Sequence, residues 1–122
     1  MNRPIHFEIP ANDPEAVAKF YTNLFGWKIT AWGDPSFGYW IVDTGTDSPG
    51  INGGLMRRQH KEQPPVNTIE VADLDASMAK ATEIGAQVVV PKMPIPTVGW
   101  LCYCKDPDGN IFGMMQNDTS AK

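Results

Sequence analysis

The chain has 122 residues, of which 42% are hydrophobic and 20% charged, with a formal net charge of −4. That size and balance give one ordinary globular unit with a real core, and the acidic charge without a basic cluster argues against nucleic acid as a partner. No stretch approaches the roughly 18 uninterrupted apolar residues of a membrane span, and "MNRPIHFEIP" lacks the pattern of a secretory signal, so a cytoplasmic protein with no membrane partner is expected.

On the first predicted strand alternation puts Ile5, Phe7 and Ile9 on one face and His6 and Glu8 on the other. A helix follows, with Asp13 as N-cap, Pro14 in its first turn, and Val17, Phe20, Tyr21 and Leu24 at the i, i+3, i+4, i+7 spacing of one apolar stripe. Gly26 supplies its C-terminal stop. Three strand-like stretches come next, "WKITAW", "FGYWIVDT" and "GGLMR".

The charged, proline-ended stretch "RQHKEQPP", residues 58–65, reads as a linker, with His60 as solvated surface. Beyond it the pattern returns. At an offset of 60 residues Ile9 falls over Ile69, Asp13 over Asp73, Ala16 over Ala76 and Leu24 over Ile84. Asp73 is the second N-cap, Leu74, Met78, Ala81 and Ile84 form a weaker stripe, and Gly85 is the stop. "AQVVVP", "GWLCYCKD" and "NIFGMMQ" complete the second half. Pro91, Pro94 and Pro96 argue for an extended loop over residues 88–100 rather than a central strand. Cys102 and Cys104 lie two apart in a strand-like run, with Cα atoms about 6.5–7 Å apart in regular geometry, and read as reduced packing residues.

The organisation is therefore α+β: two tandem βαβββ modules, residues 1–57 and 66–118, with a short tail at 119–122, in a single domain. The expected arrangement is a shared concave, barrel-like sheet with the helices outside. In the second half Ile69 and Val71 take the helix face, leaving Val66, Thr68 and Glu70 on the other. The last strands add Gly54 and Met56, and Ile111, Gly113 and Met115, to the concave side. Two carboxylates, Glu8 and Glu70, together with His6 on one concavity are equipment for proton transfer, or else a structural hydrogen-bonded cluster. Gly54 and Gly113 occupy equivalent places in the middle of strands. Each either widens the cleft or marks a bulge or close approach. An apolar pocket with Met56, Met115 and Trp100 at its rim suits a small organic molecule.

The opening "HFEIPANDPEAVAKFYTNLFGW" and the closing "KDPDGNIFGMMQ", set within this repeat, resemble the vicinal oxygen chelate superfamily: glyoxalase I, bleomycin-resistance proteins and extradiol dioxygenases. The resemblance covers nearly the whole chain. It implies the fold above, a homodimer, a small organic ligand or substrate, and in metal-using members four ligands in the cleft. Those positions fall here on His6, Gly54, Val66 and Gly113, of which only His6 carries a ligand-type side chain. No cofactor is therefore predicted, and a divalent metal would need a nonstandard ligand set such as His6 with Glu8 and Glu70. The expected function is binding of a small organic molecule with a metal-independent reaction of lyase or isomerase type. The alternatives are a non-catalytic sequestering protein of bleomycin-resistance type and a metal-dependent lyase or dioxygenase.

Overall fold

All 122 residues are described in a computed structural model of the chain. Contacts divide it into two units, His6–Pro65 and Met1–Ile5 with Val66–Lys122.

In the unit His6–Pro65, strand β1 (Arg3–Ala11) contributes its residues from His6 onward, followed by helix α1 (Pro14–Phe25), β2 (Lys28–Ala31), β3 (Tyr39–Asp43) and β4 (Asn52–Arg57). The strands lie in the order β2-β3-β4-β1. β1 and β4 are parallel and pair Glu8 with Gly54, whereas β3 and β4 are antiparallel and pair Tyr39 with Met56. Asp13 caps α1 by accepting a bond from the Ala16 amide at 3.3 Å, and Gly26 closes it at φ 76°, a left-handed conformation that glycine adopts without strain.

The other unit repeats the plan. Strand β5 (Val66–Glu70) precedes helix α2 (Leu74–Glu83), which leads to β6 (Gln87–Ile95), β7 (Gly99–Lys105) and β8 (Ile111–Asn117), ordered β5-β8-β7-β6. Asp73 caps α2 as expected, at 3.1 Å from the Ala76 amide, and the Gln116 side chain accepts the Leu74 amide at 2.8 Å. The residues predicted as a proline-rich loop instead include the strand β6. It is the sheet edge in this order, the position where strands tolerate proline, and its register with β7 slips at Val88–Val90 and Val90–Met93. The C-terminal tail is tied down, with Ala121 buried and its carbonyl accepting the Thr97 amide at 3.0 Å.

The predicted sidedness holds on both opening strands. Phe7 and Ile9 pack with Val17 and Ala18 of α1 on a core of Ala11, Trp40, Val42 and Leu55. Ile69 packs with Met78 and Ala81 of α2 on a core of Val71, Leu74, Cys102, Cys104 and Met114. The α1 stripe is corrected: Phe20 and Leu24 are exposed, and the face turned to the sheet is set by Pro14, Val17 and Ala18. Tyr21 stacks on Trp27, ring centroids 5.1 Å apart, and carries the cluster toward solvent through Phe25. Just past the end of α2, Ile84 is likewise exposed. Both cysteines are free and fully buried, and burial followed by the neighbouring Cys104 pushes the Cys102 thiol up to about 12.

Candidate functional site

Alternation puts His6 and Glu8 on the β1 face opposite Phe7 and Ile9, and the parallel register sets Gly54 beside Glu8. The space a side chain at Gly54 would fill is taken by Tyr39. A Cβ there would lie 1.9 Å from the Tyr39 hydroxyl and 2.3 Å from its Cζ. The expectation of bare backbone widening a cleft is therefore corrected at this position: Gly54 is glycine so that a phenol from β3 can cross β4 and reach β1.

The hydroxyl that arrives makes two side-chain bonds. It donates to Glu8 Oε2 at 2.9 Å and lies 2.9 Å from His6 Nε2. Because the single phenolic proton goes to the carboxylate, His6 Nε2 must carry the hydrogen of the other bond, which fixes the imidazole tautomer. Glu8 is only 7% exposed, a burial a carboxylate tolerates when its oxygens are bonded. His6 is half-buried, and loss of hydration lowers its pKa, opposed in part by the Glu8 charge, so the ring is neutral at pH 7. Trp32 meets the Tyr39 ring edge-on, with ring centroids 6.0 Å apart.

Tyr39 is the residue sequence reasoning missed. Its signal was the unexplained Gly54 on a facing strand, but Tyr39 pairs with Met56 and reaches Gly54 diagonally, in a register that alternation alone does not fix.

Met56, the next β4 residue on the same face as Gly54, lines a cavity of about 250 Å3 with Phe37, Gly38, Tyr39, Arg57 and Arg58. Gln63 Nε2 approaches its sulfur at 3.7 Å.

In the other unit Thr68 and Gly113 are register partners, and a Cβ on Gly113 would come within 2.8 Å of Thr68 Oγ1 and 3.4 Å of Tyr103 Cε1. Thr68, 2% exposed, occupies that space, so Gly113 too marks a close approach between strands rather than an open pocket. Glu70 pairs in register with Met115 and accepts a bond from Asn117 Nδ2. Trp100 is corrected: it stands on the helix side with Cys102, packs on that unit's core and donates from Nε1 to Asp118 Oδ2 at 3.0 Å, while Lys92 lies 4.9 Å over its ring.

A resident metal of the kind the resemblance implies finds no fitting donor set. Gly54, Val66 and Gly113 offer no ligand atom, the Tyr39 hydroxyl fills the space above Gly54, and no three His, Cys, Asp or Glu side chains are grouped to hold an ion.

The family model described as Glyoxalase/Bleomycin resistance protein/Dioxygenase superfamily matches residues 3–114. The chain belongs to this superfamily. Among curated relatives in it, the Mycobacterium tuberculosis protein CFP32, whose name provisionally calls it a glyoxylase, is 30% identical over 117 residues, covering 93% of this chain and 45% of the relative. The anthracycline biosynthesis protein DnrV of Streptomyces peucetius is 28% identical over 127 residues, with 91% and 46% covered. The chain thus spans about half the length of the curated relatives it matches. Two solved structures share the superfamily fold at low identity. The hypothetical protein BH1468 of Bacillus halodurans superposes with a TM-score of 0.70 at 15% identity, covering 98% of this chain and 97% of the other. Methylmalonyl-CoA epimerase of Mycobacterium tuberculosis gives 0.68 at 14%, covering 94% and 87%.

Proposed function

We propose that this superfamily member binds a small organic molecule on the concave face of its strands and moves a proton on that molecule with its own side chains, without a resident metal. The observation that carries the reading is the Tyr39 hydroxyl bridging a neutral imidazole and a buried carboxylate, each at 2.9 Å. With Nε2–H directed at Tyr39, the His6 Nδ1 lone pair is the base. It takes a proton from a carbon next to a carbonyl, the C–H electron pair passing into the carbonyl, and a later N–H returns the proton. The imidazolium formed in between donates through Nε2–H to Tyr39, which donates to Glu8, so the buried negative charge stabilises the new positive one through a single hydroxyl. Glu70, which accepts a bond from Asn117 Nδ2, is a second carboxylate proposed to move a proton.

The relatives' names, a glyoxylase and an anthracycline biosynthesis protein, support an organic substrate class. A reducing cytoplasm is in keeping with two free thiols, and a homodimer with the exposed Phe20, Leu24 and Phe25 on α1.

The test begins with a thermal-shift screen of small carbonyl compounds, since ligands of the native state raise its melting temperature. Compounds that bind are then incubated with the protein in 2H2O. Deuterium should enter at the carbon next to the carbonyl with the native chain and not with Glu8→Gln or Tyr39→Phe, at little changed affinity. Unchanged turnover in Glu70→Gln would remove that residue from the mechanism.

One feature favours a second reading. The His6–Tyr39–Glu8 hydrogen bonds are complete without a ligand, as in a network that only stabilises the sheet. In that case the protein sequesters its ligand, and bound compounds show no exchange with any variant.

A further inference from the structure

The cavity beside Tyr39 has a composition unlike the rest of the chain. It is lined by Arg57 and Arg58 together with Phe37, Gly38, Tyr39 and Met56, with no carboxylate among the lining residues of a protein whose net charge is −4. Arg58 is half-buried, and its guanidinium donates to the carbonyls of Pro10 (3.1 Å) and Gln63, which neutralise none of its charge. Arg57 is exposed, and neither arginine pairs with an acid, the ion pair of this chain being Lys92 with Asp75. Asp34, on the turn before Phe37, accepts the Ser36 amide at 2.8 Å.

The backbone is shaped around Arg57. Gly38 sits at φ 75°, and a Cβ there would meet the Arg57 Cβ at 3.3 Å and Nε at 3.7 Å. The Gly38 carbonyl also accepts the Arg57 amide at 2.9 Å. The arginine stem thus lies along bare backbone, and Phe37, which also lines the cavity, is 71% exposed.

We infer that this cavity is a subsite for an oxyanion, carboxylate or phosphate, joined to a flat apolar body, with Arg57 facing the anion and Phe37, Tyr39 and Met56 holding the body. Its volume of about 250 Å3 admits one ring with its charged group and is smaller than drug-sized pockets. A forked guanidinium suits either oxyanion, and Tyr39, whose hydroxyl bonds His6 and Glu8, is also one of the residues lining this cavity. The inference deepens the proton-transfer reading and rests on it for what happens to the ligand, although not for its binding.

The experiment is an amide NMR titration of the full chain with benzoate, phenyl phosphate and the neutral isostere benzamide. Benzoate or phenyl phosphate should shift Gly38, Tyr39, Met56 and Arg57, the tighter of the two naming the oxyanion. Benzamide should bind about fivefold more weakly, the size of an exposed charge contact, and Arg57→Gln should erase that difference. Equal binding of benzoate and benzamide, shifts confined to other residues, or no shift with any of the three overturns the subsite, as does unchanged discrimination in Arg57→Gln. Because the readout needs no turnover, anion binding without deuterium exchange contradicts the proton-transfer reading and leaves the subsite standing. Exchange that persists unchanged in Arg57→Gln, at unchanged affinity, does the reverse.

Discussion

A single methyl group added at Gly54 should cost far more than an ordinary glycine-to-alanine change. The new Cβ would lie 1.9 Å from the Tyr39 hydroxyl, 2.3 Å from Cζ and 2.8 Å from Cε1, so the ring must leave its place. Leaving breaks the bond to the Glu8 carboxylate, worth about 1.5–3 kcal/mol, and the contact with His6, worth about 0.5–1.5 kcal/mol. Gly54→Ala should therefore destabilise by about 2–4 kcal/mol, measured by urea unfolding from the midpoint at unchanged slope. The same methyl in a Tyr39→Ala background enters vacated space and should cost less than about 1 kcal/mol, which makes the double-mutant cycle strongly non-additive. Equal costs in both backgrounds, or a Gly54→Ala protein within about 0.5 kcal/mol of the native one, would refute the claim that Tyr39 explains this glycine.

Other outcomes follow from the same geometry. Gly113→Ala should be destabilising by about 1–3 kcal/mol because Thr68, β-branched and buried, has little room to turn from a Cβ at 2.8 Å, and Thr68→Ala should relieve most of that cost in the double variant; urea unfolding of the four proteins checks it. The native protein should leave Cys102 and Cys104 unreactive to a thiol reagent at pH 8 and yield two thiols in denaturant, whereas fast labelling of the folded chain would contradict their burial. His6 should titrate below the ordinary 6.5, and further below in Glu8→Gln, where the charge that raises it is gone; the imidazole proton shifts against pH report both. Since the folded pKa is depressed, its contribution to stability is complete above pH 6.5 and is lost as pH falls toward the folded value, because the unfolded chain takes up the proton first.

Strand phase was legible in the sequence because one face of each opening strand is committed to a helix. Phe7 and Ile9, and Ile69, had to meet α1 and α2, so His6, Glu8, Thr68 and Glu70 fell on the opposite faces. What alternation could not supply was which side chain from another strand crosses to meet them. Tyr39 reaches Glu8 across 31 positions of sequence, and its place depends on the β3–β4 register. Trp100 could have been placed by parity, for it is in phase with Cys102 and Cys104, whose burial assigns their face. β6 was hidden by Pro91 and Pro94, which exclude a central strand but not an edge strand, and edge position follows from strand order rather than local composition. The α1 stripe misled at Phe20 and Leu24 because an apolar arc wider than the sheet contact leaves part of itself in solvent.

The central claim is that a neutral His6 donates from Nε2 to Tyr39, which donates to Glu8. A long-range 1H–15N correlation spectrum of the imidazole at pH 7 reads that arrangement directly. Signals of the neutral Nε2–H form that shift in Tyr39→Phe are the expected result, and an imidazolium, or an Nδ1–H form indifferent to Tyr39→Phe, would contradict it.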